Sequence, residues 1–412
     1  MTQRSRKALI IGGGIAGPAT AILLKKAGFD AAVYEAWPYS TCIGGGLQIA
    51  PNGMRVMAEI GLADELIKNG SVCESIDFYS QSGSLLGSVN RDMEKRFGMP
   101  AVSMRRAMLN ETIVDKAWSS CVEMHFEKRL MRIEDHPDQP IVAHFADGSS
   151  AEGDFLIGAD GVHSAVRSHV LPDGPTPSDT GLLGFGGFLP RALLDAASTG
   201  PSLAMTFGQS GFFGYGYCSP QANGAMCWST QPGHGIDAAT FRAMDQAALK
   251  QHIKRFHAGW HDPIPQLIDA LEEIVVTATL DVATLPTWSR GRTLLIGDAA
   301  HATSPHAGQG ASIALEDAYR LVRALKAEVE LGTAFQNFER ERRPRAEKLV
   351  ALARRNGNNK REFSRTGAWI RDHMIKLMLP LKPRGQDWIY GYDVRDLKTP
   401  PQMSGQRYQK AA

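Results

Sequence analysis

A glycine motif near the N-terminus restricts the fold of this chain more than any other feature of the sequence. Gly12, Gly14 and Gly17 form a G-x-G-x-x-G pattern directly after the aliphatic run 8–11. Such a run is typical of a buried parallel strand, and the apolar residues at helical spacing after the motif predict a helix that ends near Gly28. We therefore expect a strand, a glycine turn and a helix at the start of the chain.

A second aliphatic run, 31–34, ends on Glu35 and completes a βαβ unit. In such a unit the first glycine makes a tight turn, the second lets a pyrophosphate approach, and the third allows the helix to pack closely on the strand. The helix N-terminus then offers unpaired N–H groups to the phosphates. Glu35 stands where a carboxylate accepts hydrogen bonds from both ribose hydroxyls and disfavours a 2′-phosphate. The unit predicts FAD or NAD as the bound nucleotide, rather than NADP.

Two further strand-and-turn patterns follow downstream. The run 292–296 leads into the Gly-Asp pair that ends at Asp298, and the glycine-rich segment 305–312 precedes a helix with an apolar face. An aspartate at the end of a strand can bind a polyol hydroxyl, and a helix N-terminus can stabilise an electron-rich group. The ribityl chain and the pyrimidine edge of a flavin meet both requirements. Between these two ends of the chain, the run 155–157 leads into a turn that contains Asp160.

Composition excludes several other classes of protein. The chain has 412 residues, of which 43% are hydrophobic, and a net charge of +2, which fits neither a disordered protein nor a nucleic-acid-binding surface. The five cysteines include no C-x-x-C pair, so we expect no disulfide framework, no metal site and a cytoplasmic location. Basic residues precede the uncharged stretch 8–24, but its glycines and Pro18 argue against a signal peptide, and we expect no membrane segment.

The three motifs, in this order, resemble those of the class A flavoprotein monooxygenases. This is the 4-hydroxybenzoate hydroxylase-like family, which includes salicylate, urate and 6-hydroxynicotinate hydroxylases. The match spans roughly residues 8 to 345, and the segments 46–52 and 106–109 resemble two lesser family motifs. The resemblance implies an α/β fold: a Rossmann-like FAD-binding domain of the glutathione-reductase type, with an inserted mixed β-sheet substrate domain and a C-terminal helical segment.

The resemblance also implies the cofactors and the reaction. NADH or NADPH would reduce FAD transiently, O₂ would form a flavin C4a-hydroperoxide, and one oxygen atom would pass to a small aromatic or heteroaromatic substrate. Candidate catalytic residues, which could hydrogen-bond a phenol-like substrate, are Gln48, His306 and Tyr215. The candidate FAD-binding residues are Gly12, Gly14, Ala16, Gly17, Glu35, Ala36, Gln48, Arg106, Leu130, Asp160, Asp298, Pro305, Gly308, Gln309, Gly310, Ala311 and Ser312.

Some of these residues also allow a purely structural interpretation. Asp160 either caps the helix that begins near Ser164 or supports both nucleotides, as the family motif implies. Arg106 could be an exposed charge, but its place at a predicted helix start favours a contact with FAD. His301 has no partner suggested by spacing, so we expect it to be structural rather than catalytic.

The middle of the chain predicts a different kind of structure. We expect the FAD-binding domain in residues 1–180 and 277–345, the substrate domain in 181–276 with a contribution from 71–100, and C-terminal helices and a tail in 346–412. Segments with β-like patterns, rich in glycine and aromatic residues, fill the substrate domain. In one of them the rings alternate with glycines. The candidate substrate-lining residues are Phe213, Tyr215 and Tyr217, although a role in the core explains the pattern equally well.

The charge of this middle segment bears on the substrate. Urate hydroxylases hold their substrate with a guanidinium near the position of Phe212, and this chain has no cation in that stretch. A neutral or larger aromatic ring is therefore favoured over a small anionic purine. Near the C-terminus, a short amphipathic stripe from Ile370 to Met378 predicts a helix that packs on the body rather than on a membrane. We expect a monomer or a homodimer.

Three alternatives share parts of this fold. A flavin-dependent halogenase would carry a W-x-W-x-I-P segment, and no two tryptophans here are two residues apart. An amine oxidase or reductase would carry an arginine-flanked double-glycine element after Glu35, which is missing around residues 44–46. A non-catalytic escort protein for prenylated partners would not need the intact Gly-Asp and G-Q-G motifs.

Overall fold

A computed structural model describes residues 5–39, 44–90, 92–196, 202–358, 360, 362–379 and 385–396. Its strands, in chain order, are β1 (Lys7–Ile11), β2 (Asp30–Tyr34), β3 (Gly46–Ile49), β4 (Ser71–Val72), β5 (Ser75–Ser80), β6 (Leu85–Asn90), β7 (Val102–Arg105), β8 (Glu123–His125), β9 (Leu130–Glu134), β10 (Ile141–Phe145), β11 (Ser150–Gly153), β12 (Phe155–Gly158), β13 (Ser178–Leu189), β14 (Ser202–Phe207), β15 (Phe212–Tyr217), β16 (Ala225–Pro232), β17 (Val275–Asp281), β18 (Ser289–Arg290) and β19 (Thr293–Leu295).

The helices pack around and between these strands. In chain order they are α1 (Ala16–Lys26), α2 (Pro51–Glu59), α3 (Ala63–Asn69), α4 (Met93–Phe97), α5 (Arg106–Ser119), α6 (Ala165–Val170), α7 (Ala192–Ala196), α8 (Ala238–Arg242), α9 (Gln246–Phe256), α10 (Ile264–Asp269), α11 (Asp298–His301), α12 (Gly310–Ala327), α13 (Leu331–Asn358), α14 (Arg365–Met378) and α15 (Asp387–Tyr390).

The first of the two large sheets has six strands. Its order is β18-β19-β12-β1-β2-β8, and β1 pairs in parallel with both β2 and β12. Ile10 faces the start of α1, and Leu9 faces Gly153 in β11, a strand of the separate three-stranded sheet β11-β10-β9. Because β1 is thus covered on both faces, residues 8–11 are uniformly apolar rather than alternating. The predicted unit of β1, α1 and β2 is confirmed, and the carboxyl ends of β1, β12 and β19 lie side by side.

The second large sheet is a mixed sheet of seven strands. Its order is β17-β13-β16-β15-β14-β5-β6, and every neighbouring pair is antiparallel except β14 with β5. The strands β5 and β6 therefore join this sheet although they come from the first quarter of the chain. The predicted fold class, a Rossmann-like domain with an inserted mixed sheet and C-terminal helices, is confirmed.

Helices cover one face of the mixed sheet, and the sequence pattern did not predict them. The pattern of residues 181–276 predicted β structure, whereas α8, α9 and α10 lie within this range. Their apolar residues, such as Phe241, Ile253 and Leu267, form a separate core with the sheet. These helices are short and largely polar on the outside, so their periodicity is weaker than that of a long helix.

The C-terminal helices leave an apolar stripe exposed. The helix α14 was expected to pack through this stripe, but Ile370 and Leu377 are 51% and 71% exposed. The opposite side of the helix packs instead, and Arg371 donates a hydrogen bond to the carbonyl oxygen of Gly208 at 2.8 Å. Among the described residues, no helix has both the length and the apolar character needed to cross a membrane.

Candidate active site

The glycine turn after β1 is closely packed on one side and open on the other. Gly12 has a φ of +111°, and a Cβ at this position would lie 2.3 Å from the carbonyl oxygen of Ala159. A Cβ on Gly17 would lie 1.9 Å from the carbonyl oxygen of Gly12, whereas a Cβ on Gly14 would meet nothing within 4 Å. The space above Gly14 and the start of α1 is therefore free for a ligand with phosphates.

Glu35 follows β2 and lies beside this turn. Its carboxylate accepts a hydrogen bond from the backbone N–H of Gly13 and another from that of Trp37 at 3.0 Å. Each carboxylate oxygen has more than one lone pair, so both can still accept hydrogen bonds from ribose hydroxyls. Ala36 is the next residue, and Leu130 is buried at the start of β9.

Asn110 holds the glycine turn from the other side, and the sequence analysis did not find it. Its side-chain amide donates hydrogen bonds to the carbonyl oxygens of Gly13 and Gly14, both at 2.8 Å. Asn110 is buried one turn into α5, next to the candidate Arg106 at the start of that helix. The available signal in the sequence was the position of Asn110, one helical turn after the candidate ligand-binding residue Arg106.

We predict that Asn110→Ala weakens FAD binding by about tenfold, because buried carbonyl groups that lose their donor cost roughly 1–3 kcal/mol. The measurement is the dissociation constant for FAD after removal and titration of the cofactor. Glu111→Ala is the control, since Glu111 is exposed on the same helix. Equal FAD affinities for Asn110→Ala and the unmodified protein would contradict a role of Asn110 in this turn.

A second cluster lies where the start of α11 comes near the start of α5. Asp298 begins α11 and Arg106 begins α5. Burial raises the pKa of Asp298, while the charges of His301 and Arg106 act in the opposite direction. The guanidinium of Arg106 is therefore close enough to Asp298 to act on its charge. An aspartate and an arginine at the same place suit a ligand that offers both hydroxyl groups and phosphates.

Hydrogen bonds hold one side of the loop before α12, residues 305–309, while its other side is exposed. Gly308 has a left-handed φ of +60°, and both it and Pro305 are exposed. The amide of Asn52 donates to the side-chain oxygen of Gln309 at 3.1 Å, and the backbone N–H of Ala50 donates to Ser312 Oγ at 3.1 Å. The first N–H groups of α12, at Gly310 and Ala311, have no partner within their own helix. They can stabilise negative charge on a ligand.

A buried ionic network supports this loop and the Gly-Asp turn together. Arg342 lies between Glu316 at 2.7 Å and Asp317 at 2.8 Å, and all three side chains are completely buried. Asp317 also accepts a hydrogen bond from the backbone N–H of Gly297 at 3.0 Å and pairs with His301 at 2.6 Å. The pairing of His301 with Asp317 gives this histidine the structural role that we expected.

Asp160 caps a helix. One carboxylate oxygen accepts a hydrogen bond from Ser164 Oγ, and the other accepts one from the backbone N–H of Val166 at 3.1 Å. Burial raises the pKa of Asp160, and these hydrogen bonds oppose the shift. The contacts favour the capping interpretation, while a contact of Asp160 with FAD stays a prediction.

The candidate substrate-lining rings lie on the face of the sheet that is covered by helices. Phe213, Tyr215 and Tyr217 alternate with glycines along β15 as expected, but they belong to the core between the sheet and the helices α8 to α10. The phenol of Tyr217 donates to Asp195 at 2.7 Å, and burial raises the pKa of Tyr215. The structure therefore does not bring Tyr215 to the cleft, because the alternation predicts which residues share a face but not which face packs on helices.

The other face of the sheet turns toward the flavin-type cradle. A Cβ on Gly46 would lie 2.0 Å from Met226 Sδ, so the mixed sheet here contacts β3, which belongs to the separate three-stranded sheet β3-β7-β4. The glycine side of β15 is not bare, since a Cβ on Gly214 would lie 2.4 Å from the indole of Trp228. On this face the indole itself, rather than the glycines, provides a flat surface next to Met226.

Gln48 and His306 lie at the edges of this cleft. The amide of Gln48 donates to Ser103 Oγ at 3.2 Å. His306 lies in the loop before α12, and its Nε2 is buried without a hydrogen-bond partner in the described structure. Burial, together with the charge of Lys360, lowers the pKa of His306 to about 3. The imidazole is therefore neutral near pH 7.

A comparison with known protein families decides which ligand this cradle holds. The family described as FAD binding domain matches residues 5–353. The chain belongs to this FAD binding domain family. The space above Gly14, the carboxylate of Asp298 and the open N-terminus of α12 are the features that FAD requires, so the residues present fit the cofactor.

The relatives of this FAD binding domain protein are named as monooxygenases. It is 30% identical over 407 residues to 6-hydroxynicotinate 3-monooxygenase of Pseudomonas fluorescens, covering 96% of each chain. It is also 30% identical over 401 residues to 3-amino-4-hydroxybenzoate 2-monooxygenase PtmB3 of Streptomyces platensis, covering 93% of this chain and 95% of the relative. The expected resemblance to flavoprotein hydroxylases is confirmed.

A solved structure supports the same conclusion. The protein superimposes on Klebsiella pneumoniae HpxO complexed with FAD and uric acid with a TM-score of 0.82 and 28% sequence identity, covering 92% of this chain and 95% of HpxO. The expectations of FAD as the cofactor and of an FAD-dependent monooxygenase are thereby confirmed. The halogenase, oxidase and escort alternatives receive no support from these relatives.

Proposed function

We propose that the protein uses NADH or NADPH and O₂ to hydroxylate a small aromatic or heteroaromatic molecule. The substrate would bind in the cleft between the mixed sheet and the FAD cradle. The observation that supports this most is the contact of Met226 with Gly46 in β3. Because β3 pairs with β7, which leads directly into the candidate FAD-binding residue Arg106, this contact favours a position of the mixed sheet close to the predicted flavin cradle. A substrate on the indole side of β15 would then lie next to the reactive ring of the cofactor.

The bound FAD would supply the redox chemistry, which is hydride acceptance from the nicotinamide and transfer of one atom of O₂ to the substrate, with the other atom leaving as water. The chain itself would bind and orient both molecules. Glu35 would hold the adenosine ribose, Asp298 a ribityl hydroxyl and Arg106 a phosphate. The N–H groups of Gly310 and Ala311 would stabilise negative charge on the pyrimidine edge.

We propose that a hydroxyl group of the substrate is held by Gln48 or His306. A neutral imidazole can accept a hydrogen bond from the hydroxyl group of a phenol, and this would fix the position of the ring. With a pKa of about 3, His306 stays neutral across the pH range in which such an enzyme works. Tyr215, the third candidate, has its side chain in the core on the other face of the sheet.

We predict that the purified protein is yellow and that an aromatic substrate stimulates its NAD(P)H oxidation. The experiment screens aromatic acids, phenols and N-heterocycles while measuring NAD(P)H consumption, peroxide release and oxygenated product. Product that matches NAD(P)H consumption would support hydroxylation, whereas stimulation with peroxide alone would identify only an effector. A colourless protein that cannot be reconstituted with FAD would overturn the assignment.

We also propose the division of the chain, its location and its oligomeric state. The FAD-binding domain would comprise residues 1–180 and 277–345, and the substrate domain residues 181–276 with a contribution from 71–100. Residues 346–412 would form C-terminal helices and a tail. A cytoplasmic location is supported by the free thiols of Cys73, Cys121, Cys218 and Cys227. We propose a monomer or a homodimer, which sedimentation equilibrium would distinguish.

A further inference from the structure

A cation reaches the candidate substrate cleft from a part of the chain far from the sheet. The amino group of Lys360 lies 3.9 Å from the centre of the Phe212 ring. Lys360 follows α13, and its backbone N–H donates to the carbonyl oxygen of Gly357 at 2.9 Å. The sequence analysis found no cation in the stretch around Phe212, and the structure supplies one from about 150 residues further along the chain.

The surroundings of Lys360 join three elements of the cleft. Phe212 lies on the same face of the sheet as Trp228, and the two ring centres are 6.4 Å apart. On the other side, a Cβ on Gly357 would lie 2.7 Å from the imidazole of His306, and Asn356 donates to the backbone carbonyl of His306 at 3.1 Å. The end of α13 thus holds both Lys360 and the loop before α12 in place.

Lys360 has no carboxylate partner among the residues that the structure describes. The aromatic ring of Phe212 is a weak substitute for an anion, since a cation–π contact contributes only about 0.5–2 kcal/mol. Burial without such a partner lowers the pKa of Lys360 to about 7. A ligand with a negative charge would stabilise the protonated amino group of Lys360.

We propose that Lys360 binds an anionic group of the substrate, so that the protein takes aromatic acids rather than neutral rings. This inference rests on the proposed function and deepens it. It revises the expectation of a neutral ring, which considered only the residues next to Phe212 in the sequence. It also assigns a role to a residue beyond position 353, where the match to the FAD binding domain family ends.

The test measures the binding of matched acids and amides to the FAD-loaded protein by calorimetry. The probe pairs are 6-hydroxynicotinate with 6-hydroxynicotinamide, 4-hydroxybenzoate with 4-hydroxybenzamide, and salicylate with salicylamide. We expect at least one acid to bind about 10- to 100-fold more tightly than its amide, as for a hydrogen bond to a charged group. Lys360→Met should abolish this preference, and Lys360→Arg should keep it.

Lys348→Met is the matched control. Lys348 lies on α13 and also stacks on an aromatic ring, with its amino group 4.0 Å from the centre of Trp388, but it is exposed and remote from the cleft. FAD content and thermal stability of each variant report whether it folds. We expect Lys348→Met to keep the preference of the unmodified protein for acids.

The pH dependence gives a second measurement. The acids stay ionised above pH 6, so their affinity should fall as Lys360 loses its proton above about pH 7, and Lys360→Arg should remove this fall. Among the described residues, His306 interacts with the charge of Lys360 and is already neutral in this range. Glu362, two residues further along the chain, lies 4.0 Å from His234.

The outcomes separate this inference from the proposed function. No preference for any acid in the unmodified protein, or an unchanged preference in Lys360→Met, would overturn the role of Lys360 even if NAD(P)H oxidation is normal. Absence of FAD or of stimulated NAD(P)H oxidation would instead contradict the proposed function. Calorimetry does not depend on turnover, so it tests Lys360 in either case.

Discussion

Gly17→Ala is expected to yield a colourless protein of reduced stability. The new Cβ would lie 1.9 Å from the carbonyl oxygen of Gly12 and 3.3 Å from Ile10. The first of these contacts is with backbone, which cannot move aside as a side chain does, so the glycine turn must shift. Overpacking of this kind costs about 3 kcal/mol. Displacement of the turn should also weaken FAD binding by about 100-fold, the equivalent of about 2.7 kcal/mol.

Gly14→Ala is the control that separates folding from cofactor binding. Its Cβ would meet no protein atom within 4 Å, but it would enter the space above the start of α1 where a pyrophosphate binds. We expect a free energy of unfolding within about 0.5 kcal/mol of the unmodified apoprotein, together with roughly 10- to 100-fold weaker FAD binding. Urea denaturation and FAD titration measure the two effects. Tight FAD binding by Gly14→Ala would contradict the position of the pyrophosphate.

Arg342→Met is expected to destabilise the fold by about 3 kcal/mol, because it removes the cation that two buried carboxylates share. Glu316 then keeps Arg345, and Asp317 keeps His301. Arg342 lies 2.7 Å from Glu316 and 2.8 Å from Asp317, and none of the three side chains is exposed to solvent. Asp317 also holds the backbone of Gly297, so the loss should extend to FAD affinity. Urea denaturation at pH 7 measures the destabilisation.

Arg340→Met provides a matched control on the same helix. Arg340 is exposed, and its guanidinium donates to Asn337 at 2.6 Å. We expect a change within about 0.5 kcal/mol, as for most exposed positions. Similar unfolding free energies for the two variants would show that Arg342 contributes no more than a surface residue, contrary to the prediction.

The effect of Arg342 should depend on pH in a defined direction. Burial alone would raise the pKa of Asp317, but His301 and Arg342 hold it at about 2. Because this value lies below the ordinary value of about 4, the carboxylate contributes stability above pH 4 that is lost as the pH falls toward 2. In Arg342→Met the carboxylates lack this cation and take up protons at higher pH. The difference in stability between the two proteins should therefore narrow between pH 5 and about pH 3.

Much of the fold and of the cofactor site could be predicted from local patterns. The glycine turn, Glu35 and the Gly-Asp turn lie where the motifs indicate, because each motif contains the strand end or helix start that positions it. Asn110 could not be found in this way, since its contact with Gly13 joins elements almost 100 residues apart in the chain. The buried network around Arg342 is likewise formed by residues of separate helices.

The sequence by itself determined the FAD cradle, the family and the alternation of rings and glycines along β15. These features depend on neighbours in the chain and on backbone geometry. Only the tertiary structure decided that Phe213, Tyr215 and Tyr217 face the helices, that Trp228 covers Gly214, and that the charge near Phe212 comes from Lys360. The physical reason is that a strand has two faces, and the face that becomes core is chosen by the long-range packing of the helices on the sheet.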